Sequence, residues 1–489
     1  MKCLLIILFF PVSLFAQLRL AKIFSDNMIL QRNEPVHIWG TAPPGKEILV
    51  SFAKEKKATH ADKNGKWDIF FKKQPATRQP QTISLVCNRQ NVQLKNILIG
   101  DVWLCIGQSN MEFPLQQEIH CKEELPQADQ PLVRLYNPVF IGKNLFGKPY
   151  SDSMIQRLNA NDFYTGQWQY CDSNSAKTMS AIGYYFGKRI VASENIPVGL
   201  VHLAIGGCPL ETFIDSKMLA ADKQFAKKVN SNWLNNEAIA EWVRQRGRDN
   251  IGAQGQNHAF KPGFAYAAGV EPIIPAPIKG VLLYQGESNA QEPERVAEYA
   301  AMMKLMIKDY RAKWKQPHMP FYWIQLSSID TTGYKSQLWP QFRDEQRKLL
   351  QDVSNGGMAV CSDFGFRNNV HPTNKKEPAE RLARWALNQT YHRNIIPSGP
   401  LPLTANYEHG NIVVRFKYSK GLQTSDGKVL RGFSTDGVND TGATIQADKI
   451  IITAAERPAF IYYAWKPFTE ANLVNAENLP ASTFKIKIQ

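Results

Sequence analysis

The 489-residue chain has no Cys-x-x-Cys pair and no His-Glu-x-x-His. Neither a dithiol or zinc-ribbon centre nor a zincin-type site is therefore written into it, and no metal or cofactor is expected. Beyond its first residues it lacks any apolar run near the roughly 20 residues that cross a bilayer, which excludes an integral membrane segment there. Internal repeats and low-complexity tracts are absent too, and hydrophobic residues at 44% with charged ones at 21% exclude a disordered or fibrous chain. The net charge of +15 would suit an anionic partner, but 43 acids are interspersed among the 58 lysines and arginines. With no recognisable nucleic-acid module, DNA and RNA are not expected partners.

What is present begins with a leader. Met1-Lys2, the apolar stretch Leu4 to Phe10 and Ala16 before Gln17 form a signal-peptide pattern over residues 1–16. The mature chain is thus expected to be exported, to a periplasm or outside the cell. Cys3 precedes the apolar stretch, which argues against a lipid anchor. Six cysteines then remain: Cys87, Cys105, Cys121, Cys171, Cys208 and Cys361. Cys105, Cys208 and Cys361 lie in or beside core-type strands and read as buried thiols; export permits disulfides without requiring any, Cys121 with Cys171 being the pairing considered.

Three patterns divide the rest. Residues 17–95 carry short alternating segments, such as Val36 to Trp39, Ile48 to Phe52 and Trp67 to Phe71, punctuated by Pro43-Pro44-Gly45 and the hairpin signal Asn64-Gly65, so an all-β domain is expected. Residues 96–396 alternate apolar strands, near 97–106, 199–205, 280–284, 320–326 and 357–362, with helical stretches at Ser180 to Val191, Ala300 to Trp314 and Trp339 to Leu350. That alternation predicts an α/β domain, a three-layer arrangement around a parallel sheet. Residues 397–489 return to short strands, with Asp426-Gly427 and Asp436-Gly437 between them, and predict a C-terminal β-sandwich.

In parallel sheets, ligands bind beyond the carboxyl ends of the strands. Gly107-Gln108-Ser109-Asn110-Met111, Gly206-Gly207, Gln285-Gly286-Glu287-Ser288-Asn289 and His371-Pro372 all fall there. Ser109 can serve as nucleophile, or merely cap a helix. His371, fixed by Pro372, can serve as general base. Gly207 lets a backbone N–H approach closely, and Gln285 and Asn289 can donate side-chain N–H groups to an oxyanion.

Taken in order, these stretches resemble the sialate O-acetylesterase family of SGNH-type hydrolases. Phe24 to Arg32, Trp39 to Gly45, Gly65-Lys66-Trp67, Gly107 to Glu112, Gly206-Gly207, Tyr284 to Ala290, Val370-His371-Pro372, Asn472 to Asn475 and Leu479-Pro480-Ala481 carry the resemblance. It implies removal of O-acetyl groups from sugars, especially 9-O-acetylated sialic acids, through an acetyl-serine intermediate. Ser109 becomes the nucleophile, His371 the base, and Gly207 with the Gln285, Glu287 and Asn289 cluster the oxyanion and substrate groups. Many relatives carry an acid just before the histidine, where this chain has Asn368 and Asn369. The group orienting His371 is thus left open among Asp363, ranked first, Glu287 and a main-chain carbonyl. Cys208 and Phe213, where relatives usually have Thr and Trp, are expected to reshape the sugar pocket. An esterase of plant polysaccharide such as acetylated xylan, and a catalytically inactive carbohydrate-binding protein, are the alternatives.

Overall fold

The computed structural model describes residues 17–253 and 256–489, so the expected leader lies outside the described residues. One 18-residue strand, Gln90–Gly107, organises the molecule. Its first part pairs antiparallel with Thr77–Cys87 and parallel with Ile29–Gln31. Its second part lies between Val198–His202 and Gly280–Tyr284, parallel to both. The reason is in the residues: Ile97 to Ile99 and Val102 to Ile106 form a nearly unbroken buried apolar run, as a strand covered on both faces requires. The boundary drawn at 95/96 falls inside this strand. Asn96 stands at φ +57, a left-handed kink, so Lys95-Asn96 reads as a turn although pairing continues across it.

The exception to the apolar run is Asp101, which is fully buried. Gln31 Nε2 donates to it at 2.9 Å, Arg32 grips it at 2.9 and 3.0 Å, and the Tyr391 hydroxyl donates at 2.9 Å. A buried carboxylate is tolerated when donors surround it in this way. Here the donors come from the N-terminal β-region and from residue 391, so the charge fastens both to the central sheet.

Along the central sheet the order is Trp168–Tyr170, Val133–Tyr136, Val198–His202, Gln90–Gly107, Gly280–Tyr284, Phe321–Ile324 and Gly356–Ala359. Only the first of these neighbouring pairs is antiparallel, and the N-terminal strands extend the same sheet into a mixed one of 11 strands. The two outer strands at 133–136 and 168–170 are too short to stand out from the loops around them in sequence. Helices Ala181–Glu194 and Lys376–Trp385 pack on each other, as do Pro293–Lys313 and Trp339–Asp352. The third begins several residues before the apolar pattern does, because Pro293 is suited to the first helical turn.

The C-terminal region has its own apolar core, filled by Ile412, Val414, Ile450 and Ile452 from one antiparallel sheet and Phe433, Ile461 and Phe484 from another. Arg343, wholly buried and without an acid partner among the described residues, holds this region to the α/β part by donating to the carbonyls of Ala464, Lys466 and Pro467. All six cysteines are free, Cys121 and Cys171 included. Among the described residues no helix is long and apolar enough to cross a membrane.

Candidate active site

Gly107 closes the long strand at φ +135, where a β-carbon would lie 2.1 Å from the Tyr284 carbonyl oxygen. Only glycine lets the two strands run this close. Gln108 N–H then donates to that carbonyl at 3.0 Å, and Gln108 Oε1 accepts from Gln285 Nε2, Gly286 N and Ser288 N at 3.2–3.3 Å. The serine turn and the Gln285–Asn289 turn are therefore clamped together before any substrate arrives.

Ser109 opens the short helix Ser109–Glu112 and is partly exposed. First-turn N–H groups have no intrahelical acceptor, so the Ser109 amide is free to face an anion. Asn110 is wholly buried and acts as a hub. Its Nδ2 donates to a Glu287 carboxylate oxygen and, at 3.0 Å, to the carbonyl of Val370, the residue before His371. Its Oδ1 accepts from Lys375 Nζ at 2.6 Å. One side chain thus links the residue next to Ser109 to the residue next to His371.

Lys375 is fully buried, its ammonium over the rings of Phe113 and Tyr284 at 4.6 and 5.6 Å. Burial pulls its pKa down to about 7, while the charges of Cys361, Glu287 and Glu118 pull the other way. Glu287, equally buried, is pushed above the ordinary carboxylate value by desolvation, against the Asn110 contact, its own backbone N–H and Lys375. His371 is lowered to about 4, first by burial and then by the Lys375 charge. Its main-chain N–H donates to Asn369 Oδ1 at 2.9 Å, but its ring Nε2 is buried with no partner among the described residues. The imidazole is therefore neutral near pH 7, the form a general base needs.

The sequence ranked Asp363 first as the group orienting His371, and in this structure Asp363 faces Arg381 rather than the imidazole. Asp363 forms a two-pronged pair with Arg381, both contacts 2.7 Å, and makes no hydrogen bond to His371. The Arg381 fork occupies both carboxylate oxygens, as such pairs do. Glu287 is turned to Asn110 instead, and among the described residues no carbonyl accepts from the ring either.

Gly207 stands at φ +77, and a β-carbon on it would meet the Phe260 ring at 2.9 Å. The neighbouring Gly206 N–H is taken by Glu112 at 2.6 Å, and Glu112 is in turn paired with Lys143 at 3.3 Å. The Gly207 carbonyl accepts from Ser288 Oγ at 2.9 Å. Of the two glycine amides, only that of Gly207 is left for a ligand.

Gln285 and Asn289 occupy the same buried layer, and each amide NH2 donates within the protein, leaving one of the two Asn289 N–H groups without a bond among the described residues. Gln285 Nε2 donates to Asn289 Oδ1 at 2.7 Å, and Asn289 Nδ2 donates to Glu211 at 3.1 Å. Burial pushes the Glu211 carboxyl up, yet Lys228, its own backbone and Asn289 leave it below the ordinary value. The pair braces the turn that Gln108 clamps, and the second Asn289 N–H remains for a ligand. Cys208 is buried with its thiol donating to Ala259 O at 3.2 Å, and Phe213 is buried as well, so neither offers a polar group to a sugar.

The sequence singled out Ser109 and His371 but gave no role to Gln108, Asn110, Glu112 or Lys375. Gln108, Asn110 and Glu112 stood within or beside the serine motif. Lys375 carried no signal, being one of 58 cationic residues.

A partly exposed serine at a helix start and, joined to it through Asn110 and the Val370 carbonyl, a histidine turn, both at the strand ends of an α/β sheet, are the parts a carboxylic ester hydrolase needs. Residues 151–384 match the family described as carbohydrate esterase, sialic acid-specific acetylesterase, a segment containing His371 and the Gln285–Asn289 turn and beginning after Ser109. The chain is 26% identical over 447 residues to the sialate O-acetylesterase of Mus musculus, covering 82% of this chain and 79% of that one. The Homo sapiens sialate O-acetylesterase is 25% identical over 420 residues, covering 78% and 73%. A crystal structure of a carbohydrate acetylesterase from Xanthomonas citri superposes with a TM-score of 0.79 at 27% identity, covering 96% of this chain and 99% of that one. The chain thus resembles the sialate O-acetylesterase family over most of its length.

Proposed function

We propose that the protein removes O-acetyl groups from sugars, 9-O-acetylated sialic acids first among them, by double displacement at Ser109. The reading treats the α/β part as an SGNH-type domain with helices on both faces of its sheet. It is carried by one observation: Asn110 bridges the serine and histidine turns through its 3.0 Å contact with the Val370 carbonyl. In the first step Ser109 Oγ attacks the acetyl carbonyl while His371 takes the hydroxyl proton. The developing oxyanion lies against the amides of Ser109 and Gly207, donors fixed before reaction and worth roughly 10²–10³ in turnover each. His371 then gives its proton to the departing sugar oxygen. A water molecule, deprotonated by the same imidazole, cleaves the acetyl-serine and releases acetate.

The mature protein is proposed to act outside the cytoplasm, on the strength of the leader pattern. The names of the mouse and human relatives support sialic acid as substrate. The test is acetate release from 9-O-acetylated sialic acid and from acetylated xylan, by the wild type and by Ser109→Ala. Release from sialic acid that the serine variant abolishes is the expected result. Release from xylan alone would move the substrate to plant polysaccharide, and unchanged release by Ser109→Ala would remove the serine from the mechanism. Silence on both substrates would favour a carbohydrate-binding protein.

A further inference from the structure

The wall beside Gly206 is made by a segment the proposed chemistry does not use. Lys143 pairs with Glu112, the carboxylate that holds the Gly206 amide. Three residues on, Phe146 is 54% exposed, a high value for an aromatic ring, and its Cζ lies 3.1 Å from where a β-carbon on Gly206 would sit. Over that ring, 5.2 Å from its centre, stands the guanidinium of Arg246.

Arg246 differs from its neighbours on the helix Glu241–Ile251. Arg244 and Arg248 both bind Glu241, and Asp249 accepts from Gln245 at 2.7 Å. Arg246 is half-exposed and forms no ion pair among the described residues. Its direction is fixed by Asn250, one helical turn later and hence on the same face. Asn250 is buried and donates to the carbonyls of Leu145 and Lys148 at 3.2 and 2.7 Å. The helix is therefore fastened to the segment carrying Phe146, and Arg246 is held against the ring.

We propose that Arg246, seated on Phe146, is an anchor for the carboxylate of an acidic O-acetylated sugar. A guanidinium presents paired N–H donors that match a carboxylate, and stacking on an aromatic face leaves those donors free at the edge. Glu112, the acid of this wall, is paired with Lys143 at 3.3 Å rather than with Arg246. This inference rests on the esterase reading above and adds the feature that would separate acidic from neutral sugars.

The test compares Arg246→Gln and Arg246→Lys with the wild type. Substrates are 9-O-acetyl-N-acetylneuraminic acid and acetylated galacturonate oligomers, each beside its methyl ester, with 4-nitrophenyl acetate as the uncharged control. The expected result is a fall in kcat/KM of roughly tenfold to hundredfold for Arg246→Gln on the acids, the range for losing a charge-assisted pair. Rates on the methyl esters and on 4-nitrophenyl acetate stay within about twofold, and Arg246→Lys recovers part of the loss on the acids. Calorimetric titration with N-acetylneuraminic acid and its methyl ester reads the same preference without turnover. No preference for acid over ester in the wild type, in either assay, overturns the inference, as does an equal loss on both in Arg246→Gln. Failure of all variants and the wild type on 4-nitrophenyl acetate would instead sink the esterase reading, with the titration still deciding the role of Arg246.

Discussion

The serine turn and the histidine turn are joined through Asn110 and are built in opposite ways. Around Ser109 the backbone is fixed by Gln108, which gathers three donors, and by Asn110, which is buried and triply bonded. Around His371 the chain from Phe366 to Asn369 is exposed and the imidazole has no carboxylate behind it among the described residues. The electrostatic half of the site is thus pre-organised, while the histidine turn is held by the Val370 and Thr373 carbonyls, by the Asn369 side chain and by a buried lysine nearby. Such an arrangement concentrates the coupling of the two turns in Asn110. Rigidity on the oxyanion side is where an acyl-transfer enzyme gains most, because donors that need no reorganisation stabilise developing charge best.

Breaking that coupling should have the largest effect. Asn110→Ala leaves Glu287 and Lys375 buried without their shared partner and frees the Val370 carbonyl. Loss of a partner to buried charged groups costs about 3 kcal/mol, and turnover should fall by at least the roughly 10² of a lost donor. Thermal unfolding and acetate release below the melting point check both. A variant as stable and active as the wild type would show that the two turns are independent.

Gly207→Ala tests the pre-organised side alone. The left-handed backbone costs about 1–2 kcal/mol for a residue with a β-carbon, and that carbon meets Phe260 at 2.9 Å. Relief of the clash tilts the Gly207 amide away, so turnover should fall by roughly 10² with little change in KM. A rise in KM with kcat intact would assign Gly207 to sugar binding instead.

The contrast between the turns also accounts for what could be read from the residues. The strand-end motifs were legible because a buried apolar run followed by glycine and small polar residues is a local pattern, complete within a few positions. The location of the Gln285 and Asn289 amides was legible, but not their Glu211 and Gln108 partners, which only the fold brings to them. The Arg381 partner of Asp363 was hidden for a similar reason: Asp363 lies in the right segment, and only the fold brings Arg381 to it. The continuity of one strand through Asn96 was not legible, because a left-handed asparagine inside a strand has the composition of a turn. Lys375 was invisible, because burial is what makes it unusual, and burial of one lysine has no signature in a chain rich in them.

Lys375→Met sharpens the comparison from the base side. The lysine charge is the second cause lowering His371, after burial, so its removal raises the histidine pKa. A raised pKa leaves more of the free enzyme protonated at a given pH, so the acid limb of kcat/KM moves up from about pH 4. It stays below the ordinary histidine value of 6.5, because burial, the larger cause, is untouched. An unmoved acid limb would mean that Lys375 and His371 do not sense one another.

The smallest effect is expected where the sequence put the third catalytic group. Asp363→Asn loses a carboxylate whose side chain is 31% exposed and whose partner, Arg381, also donates to the Val360 carbonyl at 2.6 Å. An exposed pair of this kind contributes about 1 kcal/mol or less, and Arg381 keeps its backbone contact. Turnover should stay within about threefold and the acid limb should not move, since Asp363 is not among the groups that shift His371. If turnover instead fell by the roughly 10⁴ typical of replacing a triad carboxylate, the histidine turn would have to rearrange in the working enzyme until Asp363 left Arg381 for the imidazole. The pre-organised serine turn would then face a base assembled only on substrate binding, and the difference between the two turns would be one of timing rather than of composition.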